Sequence, residues 1–197
     1  QLDHHNNQPV VEENIISIHN GIIVNDRALW KQNKDLERQY EIDTEIFNSL
    51  VSKYMSSENF ASSVIKAAKE LEGTLSTIVF SKLGSELALY TNNSSLHYMT
   101  NSDDFLAFSS EKSTLVHLNN ISKFSGNNFH IHTIKPNEGI LHDFDTFDIS
   151  VLSNSMGKSK LKNTLITEFD IDVKLIDGDY KKSLVLDIKK DTSHIAF

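Results

Sequence analysis

An α+β fold, with helices packed on antiparallel sheet, is predicted by three features of this sequence. A β-branched run near the start is followed by two stretches with helical periodicity. Four strand-like runs then succeed one another across gaps of a few residues, too short for a parallel crossover of about a dozen or more. Near the C-terminal end, Asp177-Gly178 separates two alternating apolar runs, and this dipeptide favours a two-residue hairpin. Strand, helix, helix and then consecutive strands is the order of helices laid on an antiparallel sheet. It is not the order of a doubly wound parallel one.

The elements follow in chain order. Residues 14–18 form the first strand candidate, ending at His19-Asn20-Gly21. A helix over 26–38 is expected next, with Ala28, Leu29 and Leu36 as its few apolar contacts. The clearest helix begins after Asp43, where Ile46, Phe47, Leu50, Val51, Tyr54 and Met55 make one apolar stripe. Another covers 59–71, with Asn59 as cap, Phe60, Val64, Ala67, Ala68 and Leu71 on one face, and Gly73 beyond its end. Residues 75–81, 86–91, 96–99 and 105–109 read as short strands between Gly, Asn and Ser clusters. A short helix over 111–116 and a strand over 129–134 are expected after them. The acidic, aromatic stretch 143–148 and the polar, basic stretch 153–162 read as irregular, and a hairpin of 171–176 with 180–188 closes the chain.

Composition narrows the function. A length of 197 residues suits one domain, with or without an appendage. The net charge of −8 argues against nucleic acid and anionic membrane as partners, since both are polyanions. Cysteine is absent, which excludes a disulfide framework, thiolate metal ligands and a cysteine nucleophile within these residues. No apolar run approaches the ~20 residues of a membrane span. The start, Gln1-Leu2-Asp3-His4-His5, carries neither Met nor a signal-peptide pattern, so a processed end or the interior of a longer chain is expected, in a cytoplasmic setting.

Several residue groups could carry chemistry. Asn20-Gly21 suits a type I′ turn, and it also suits an oxyanion hole built from the Asn amide and the Gly backbone N–H. Asp43 suits an N-cap for the helix after it, a role sufficient to explain its position. His130 and His132 would share one face of a strand and His4-His5 are adjacent, but no carboxylate stands at metal-motif spacing, so no metal is expected. Gly157-Lys158-Ser159 lacks the glycine five positions earlier that a phosphate loop needs, because Leu152 stands there. His142-Asp143 lacks a hydrolase partner and reads as loop.

Taken together, these segments resemble the class II glutamine amidotransferase domain, the N-terminal-nucleophile unit of glucosamine-fructose-6-phosphate aminotransferase and asparagine synthetase. The matching segments run in the family's order. They are Gln8-Pro9, then His19-Asn20-Gly21-Ile22-Ile23 with Asn25, then Asp43-Thr44-Glu45, then Leu71-Glu72-Gly73-Thr74, and Phe108-Ser109-Ser110-Glu111-Lys112. The likeness covers about residues 6–118. It implies an αββα sandwich of two antiparallel sheets, of which this chain would hold the C-terminal two-thirds. Residues 1–135 would be the amidotransferase-like domain lacking its N-terminal part, and 136–197 a connector with a β-hairpin.

The resemblance also implies roles. Asn20 and Gly21 would form the oxyanion hole, and Asp43 would hold the α-amino group of glutamine. Hydrolysis of the side-chain amide would release ammonia to a partner domain, a synthetase or a sugar-aminating enzyme, without metal or organic cofactor. Three departures stand out. The family's nucleophile is an N-terminal cysteine, and its carboxylate-gripping arginine lies upstream of Gln8-Pro9. Where the family has Ala-Arg-x-Gly-x-Pro-Leu, this chain has Tyr90-Thr91-Asn92-Asn93-Ser94-Ser95-Leu96. The chain alone is therefore expected to be inactive. Unpaired sheet edges would favour self-association into a homo-oligomer. The alternative is a non-catalytic, amidotransferase-like structural or regulatory module.

Overall fold

The computed structural model describes residues 7–101, 105–121, 129–152, 170–178 and 181–189. His4, His5, Gly157-Lys158-Ser159 and the expected loop over 153–162 lie outside them. The chain begins with β1 (Val10–Glu12) and β2 (Ile15–Ile23), then α1 (Asp26–Gln32), α2 (Thr44–Met55) and α3 (Phe60–Glu70). The strands β3 (Gly73–Ser81), β4 (Glu86–Thr91), β5 (His97–Thr100) and β6 (Leu106–Ser109) lead to α4 (Lys112–Asn120). After it come β7 (His130–Thr133), β8 (Glu138–Asp143), β9 (Ile149–Val151), β10 (Asp170–Gly178) and β11 (Lys181–Lys189).

The strands form a six-stranded antiparallel sheet, β1-β2-β3-β4-β8-β9, a three-stranded one, β6-β5-β7, and the hairpin β10-β11. Strand alternation sends residues of the large sheet to two different cores. Ile15, Ile23, Leu75, Val79, Ala88 and Tyr90 pack with α1, α2 and α3 through Leu29, Phe47, Leu50 and Val64. On the opposite face, Ile78, Phe80, Leu87 and Leu89 meet Leu96, Ile134 and the partly buried Tyr98, Leu106 and Phe108 of the small-sheet region. Helix α4 packs on the three strands of the small sheet, where Met99 and Leu115 are buried outside both of these cores. The layer order is thus helix, sheet, sheet, helix.

Local signals set several boundaries. The stripe of α2 is fully buried at Ile46, Phe47, Leu50 and Val51, and α3 is capped by Asn59, whose side chain accepts from Ser62 N at 2.8 Å. The helix expected over 26–38 stops at Gln32. Buried Asn33 closes it, its backbone N–H and its Nδ2 both donating to Leu29 O. The strands after α3 do not continue as one meander. β3 and β4 form a hairpin, whereas β5 and β6 cross to the other sheet and leave β4 to pair with β8.

β8 is a strand that sequence alternation does not reveal, and it contains His142, read from sequence as loop. Gly139, Ile140, Leu141 and His142 are all buried, because the strand is covered on both faces and has no polar side. The sheet therefore runs past position 136, where the connector was expected to begin. The terminal hairpin pairs Asp177↔Lys182 and Gly178↔Lys181, so Asp177-Gly178 lies within a paired strand.

Candidate functional site

The type I′ turn at Asn20-Gly21 is not formed. β2 runs straight through the dipeptide, pairing His19↔Thr77, Asn20↔Ser76, Gly21↔Leu75 and Ile22↔Thr74. The two backbones are pressed together here. A Cβ on Gly21 (φ 152°) would lie 1.9 Å from Thr74 O, and one on Gly73 (φ 120°) 2.0 Å from Ile22 O. Only glycine fits at either position.

The free edge of β2 lies beside this dipeptide. β1 covers β2 only as far as Val10↔Ser17. At His19 the carboxamide of Gln8 takes over as a one-residue extension. Its Nε2 donates to His19 O at 2.8 Å and its Oε1 accepts from His19 N. At Ile23 the backbone N–H donates to Asp43 Oδ2 at 3.0 Å. Alternate residues of a strand point their N–H groups to opposite edges. Ile22 N turns toward β3, where it donates to Thr74 Oγ1 at 3.2 Å. The Gly21 N–H therefore faces the open edge, between the residue served by Gln8 and the residue served by Asp43.

Asp43 is at the N-cap position of α2 but makes no side-chain cap bond. The capping role read from the sequence is replaced by a bond to the β2 edge. Its other oxygen lies 3.9 Å from His19 Nδ1, which also contacts Thr44 Oγ1 at 2.9 Å. Burial holds the His19 imidazole below its ordinary 6.5, more than the Asp43 charge raises it. The third residue of the tripeptide, Glu45, is 2% exposed. Its carboxylate accepts from Gln39 N at 2.5 Å and Tyr40 N at 2.9 Å, fixing the α1–α2 loop. Asp43, Thr44 and Glu45 thus tie one helix start to a strand edge, a buried histidine and a loop.

That loop and Asp43 line a cavity of about 610 Å³, together with Asp26 and Arg27. Asn20 and Gly21 are not in its lining. Asp43 is the link between cavity and strand edge. The Asn20 side chain is on the opposite face of β2 from His19, exposed at the rim of the inter-sheet layer. The structure thus brings Gly21 and Asp43 to one edge, with Asn20 beside it. Sequence inspection missed Gln8 as a strand substitute and Glu45 as a loop clamp. No local pattern marks either, since both act on backbone N–H groups that folding alone brings near. Among the described residues, no group of three His, Asp or Glu side chains is arranged to hold a metal ion, and His130 and His132 are exposed on β7.

The two-sheet sandwich with its helical outer layers has the N-terminal-nucleophile amidotransferase fold. A glutamine phosphoribosylpyrophosphate amidotransferase from B. subtilis, complexed with ADP and GMP, is similar over 80% of this chain and 34% of its own, at 18% identity and a TM-score of 0.58. A structure described as the allosteric regulatory enzyme of purine biosynthesis is similar over 79% of this chain and 33% of its own, at 18% identity and a TM-score of 0.59. The chain spans about a third of the length of each. No curated protein matches it. Residues 1–117 match the model of the glutamine amidotransferase domain family, more than half of the sequence, and the chain belongs to that family.

Proposed function

We propose that this chain supplies the substrate-binding and oxyanion half of a glutaminase site, whose ammonia goes to an acceptor domain. The observation that carries the proposal is the Gly21 N–H on the open β2 edge, two residues from the backbone N–H that anchors Asp43. Two strand residues span about 6.8 Å. Extended glutamine separates its ammonium from its carboxamide carbon by four bonds, roughly 5 Å at standard bond lengths. A glutamine whose ammonium lies against Asp43 would reach the Gly21 N–H with its amide oxygen. Asn20 would provide the second donor.

In the reaction, a nucleophile adds to the carboxamide carbon and the carbonyl oxygen becomes an oxyanion held by those donors. Ammonia leaves with the bond that breaks, and water resolves the acyl intermediate to glutamate. Without cysteine the chain has no thiolate of its own, so the expected behaviour of these 197 residues is binding without turnover. A second reading, a non-catalytic amidotransferase-like module, is favoured by that same absence.

Calorimetry with L-glutamine, paired with an assay for released glutamate, tests both. We expect glutamine to bind, no glutamate above a heat-killed control, and affinity lower by roughly 10- to 100-fold in Asp43→Asn, the loss of one hydrogen-bonded charge. The amide oxygen of that variant would still accept from Ile23 N, so the melting temperature should change little. A chain that binds no glutamine overturns the substrate-site assignment and leaves the module. Turnover by the chain alone overturns the division of labour.

A further inference from the structure

We infer that His130 and His132 form a two-point chelate for a late first-row divalent metal ion, with Cu²⁺ held most tightly and Ni²⁺ and Zn²⁺ after it. The inference does not rest on the glutaminase reading. Both histidines belong to the small sheet, whereas Gly21 and Asp43 belong to the large sheet and its helix layer.

Among the described residues, β7 lies at an edge of the small sheet and pairs with β5 alone. Residues two apart on a strand share a face, so His130 and His132 point the same way. Their ring centres are 6.4 Å apart, with the planes at 54°. Both residues are exposed, and their ring nitrogens make no hydrogen bond among the described residues. His132 is held in place. It stacks on Tyr98, its direct cross-strand partner, at 4.8 Å and 19°. Stacking occupies the face of the imidazole, while a metal bond uses a nitrogen lone pair in the ring plane. The stack therefore orients the ligand without blocking it.

Metal–nitrogen bonds of about 2.0–2.1 Å at angles near 90–110° bring two imidazole centres to roughly 4.5–5 Å. Closing the remaining distance of about 1–2 Å takes rotation of His130, an exposed ring opposite Thr100, between side-chain rotamers. The sequence expectation of no metal concerned motifs that include a carboxylate at fixed spacing, and a chelate of two imidazoles needs none. Imidazole suits copper, nickel and zinc, with water in the remaining positions, whereas Mg²⁺ and Ca²⁺ take oxygen. Once one ring has bound, the second closes as an intramolecular step, which raises affinity about 10²–10⁴-fold. The net charge of −8 adds a general attraction for cations. Two other histidines serve as controls. His97 is on the opposite face of β5 from Tyr98, with its Nδ1 at 2.9 Å from Thr133 Oγ1. His117 stands alone on α4.

The test titrates the 197-residue chain with Cu²⁺, Ni²⁺, Zn²⁺, Mg²⁺ and Ca²⁺ at about pH 7.5, by calorimetry and by amide NMR. Paramagnetic Cu²⁺ should broaden the amides of β7 and of Tyr98, Met99 and Thr100, and a chelator should restore them. Mg²⁺ and Ca²⁺ should leave the same amides unchanged. His130→Gln and His132→Phe should each weaken Cu²⁺ at this site roughly 10²-fold, the lower end of the range because His130 must first rotate. The double variant should be no weaker than either single one, since one remaining imidazole already binds without chelation. His132→Phe keeps a ring against Tyr98, so its melting temperature should match the parent. His97→Gln, His117→Gln and the paired variant His4→Gln with His5→Gln should leave the β7 signals and affinity as they were. Broadening away from β5 and β7, unchanged affinity in either His130→Gln or His132→Phe, or losses that add in the double variant would overturn the chelate. So would a loss of affinity found only in variants that also melt lower, which assigns it to structure.

Discussion

One row of residues across three strands, Asn20 on β2, Ser76 on β3 and Thr91 on β4, shows two ways of using polar groups. At the β4 end the groups are closed on one another. Ser76 Oγ meets Thr91 Oγ1 at 2.7 Å and Ser95 Oγ at 3.0 Å, and Asn93 Oδ1 accepts from Ser95 N at 3.1 Å and from the neighbouring hydroxyls. Ser76 and Thr91 are almost wholly buried. At the β2 end the groups point outward: Asn20 is exposed, Gly21 turns its N–H to an open edge, and Asp43 keeps 29% of its side chain in reach of solvent. A saturated network holds structure together and has nothing left for a ligand, while an open one retains donors at the cost of stability. The saturated end is where the family's Arg, Gly and Pro are replaced, so those losses fall in a region where hydroxyls and an amide satisfy one another.

The largest break in this contrast comes from Gly21→Ala. The added methyl meets Thr74 O at 1.9 Å with φ at 152°, and the nearest atoms are backbone of the paired strand β3, which cannot step aside as a flexible side chain would. A loss of about 3 kcal/mol or more is expected, combining a strained dihedral with an overpacked contact. Thermal or urea unfolding would measure it, and a near-parental melting temperature would show that β2 and β3 can separate.

Ser76→Ala sharpens the other side. It removes one member of the closed network while Thr91 and Ser95 keep their bonds to Asn93 Oδ1, so the loss should be about 0.5–1.5 kcal/mol. Glutamine affinity should stay at the parental value. If affinity falls while stability holds, the β4 end belongs to the site after all.

The smallest effect concerns charge in a closed setting. Burial against α2 pushes the Glu12 carboxyl up from 4.5 to about 7, although its bond from Ser49 pulls it down. The folded state therefore binds this proton more tightly than the unfolded chain. Its contribution to stability is present below 4.5 and is lost as pH rises toward 7. Glu12→Gln keeps an acceptor for Ser49 without the titration. It should melt higher than the parent at pH 8 and alike at pH 4, and an equal offset at both values would exclude proton linkage as the cause.

The helices and hairpin strands were legible where chemistry acts over a few residues. The apolar stripe of α2, the Asn59 cap of α3 and the apolar runs of β3 and β4 between Gly, Asn and Ser clusters each require only residues close by in the chain. Asn33 shows the limit of that range. A helix continuing to residue 38 has acceptable periodicity, but the Asn33 contacts to Leu29 stop it at Gln32. β8 escaped notice because burial on both faces erases the alternation that marks a strand.

The family relationship was legible too, since its segments lie in order along the chain and need no coordinates to be seen. Asn20-Gly21 was ambiguous by itself, because the same dipeptide serves a turn and a donor pair. Pairing with residues more than fifty positions away removes the turn: β3 holds β2 extended through Gly21 and turns that N–H to the open edge, where the donor role is the one we propose. Asp43 was placed correctly at a helix start by sequence, while its side chain was claimed by the backbone of Ile23, twenty residues earlier. The sequence by itself determined which residues have the chemistry for a site. Tertiary structure decided which edge is open and which carboxylate faces it, because strand register and packing bring together groups that no local pattern relates.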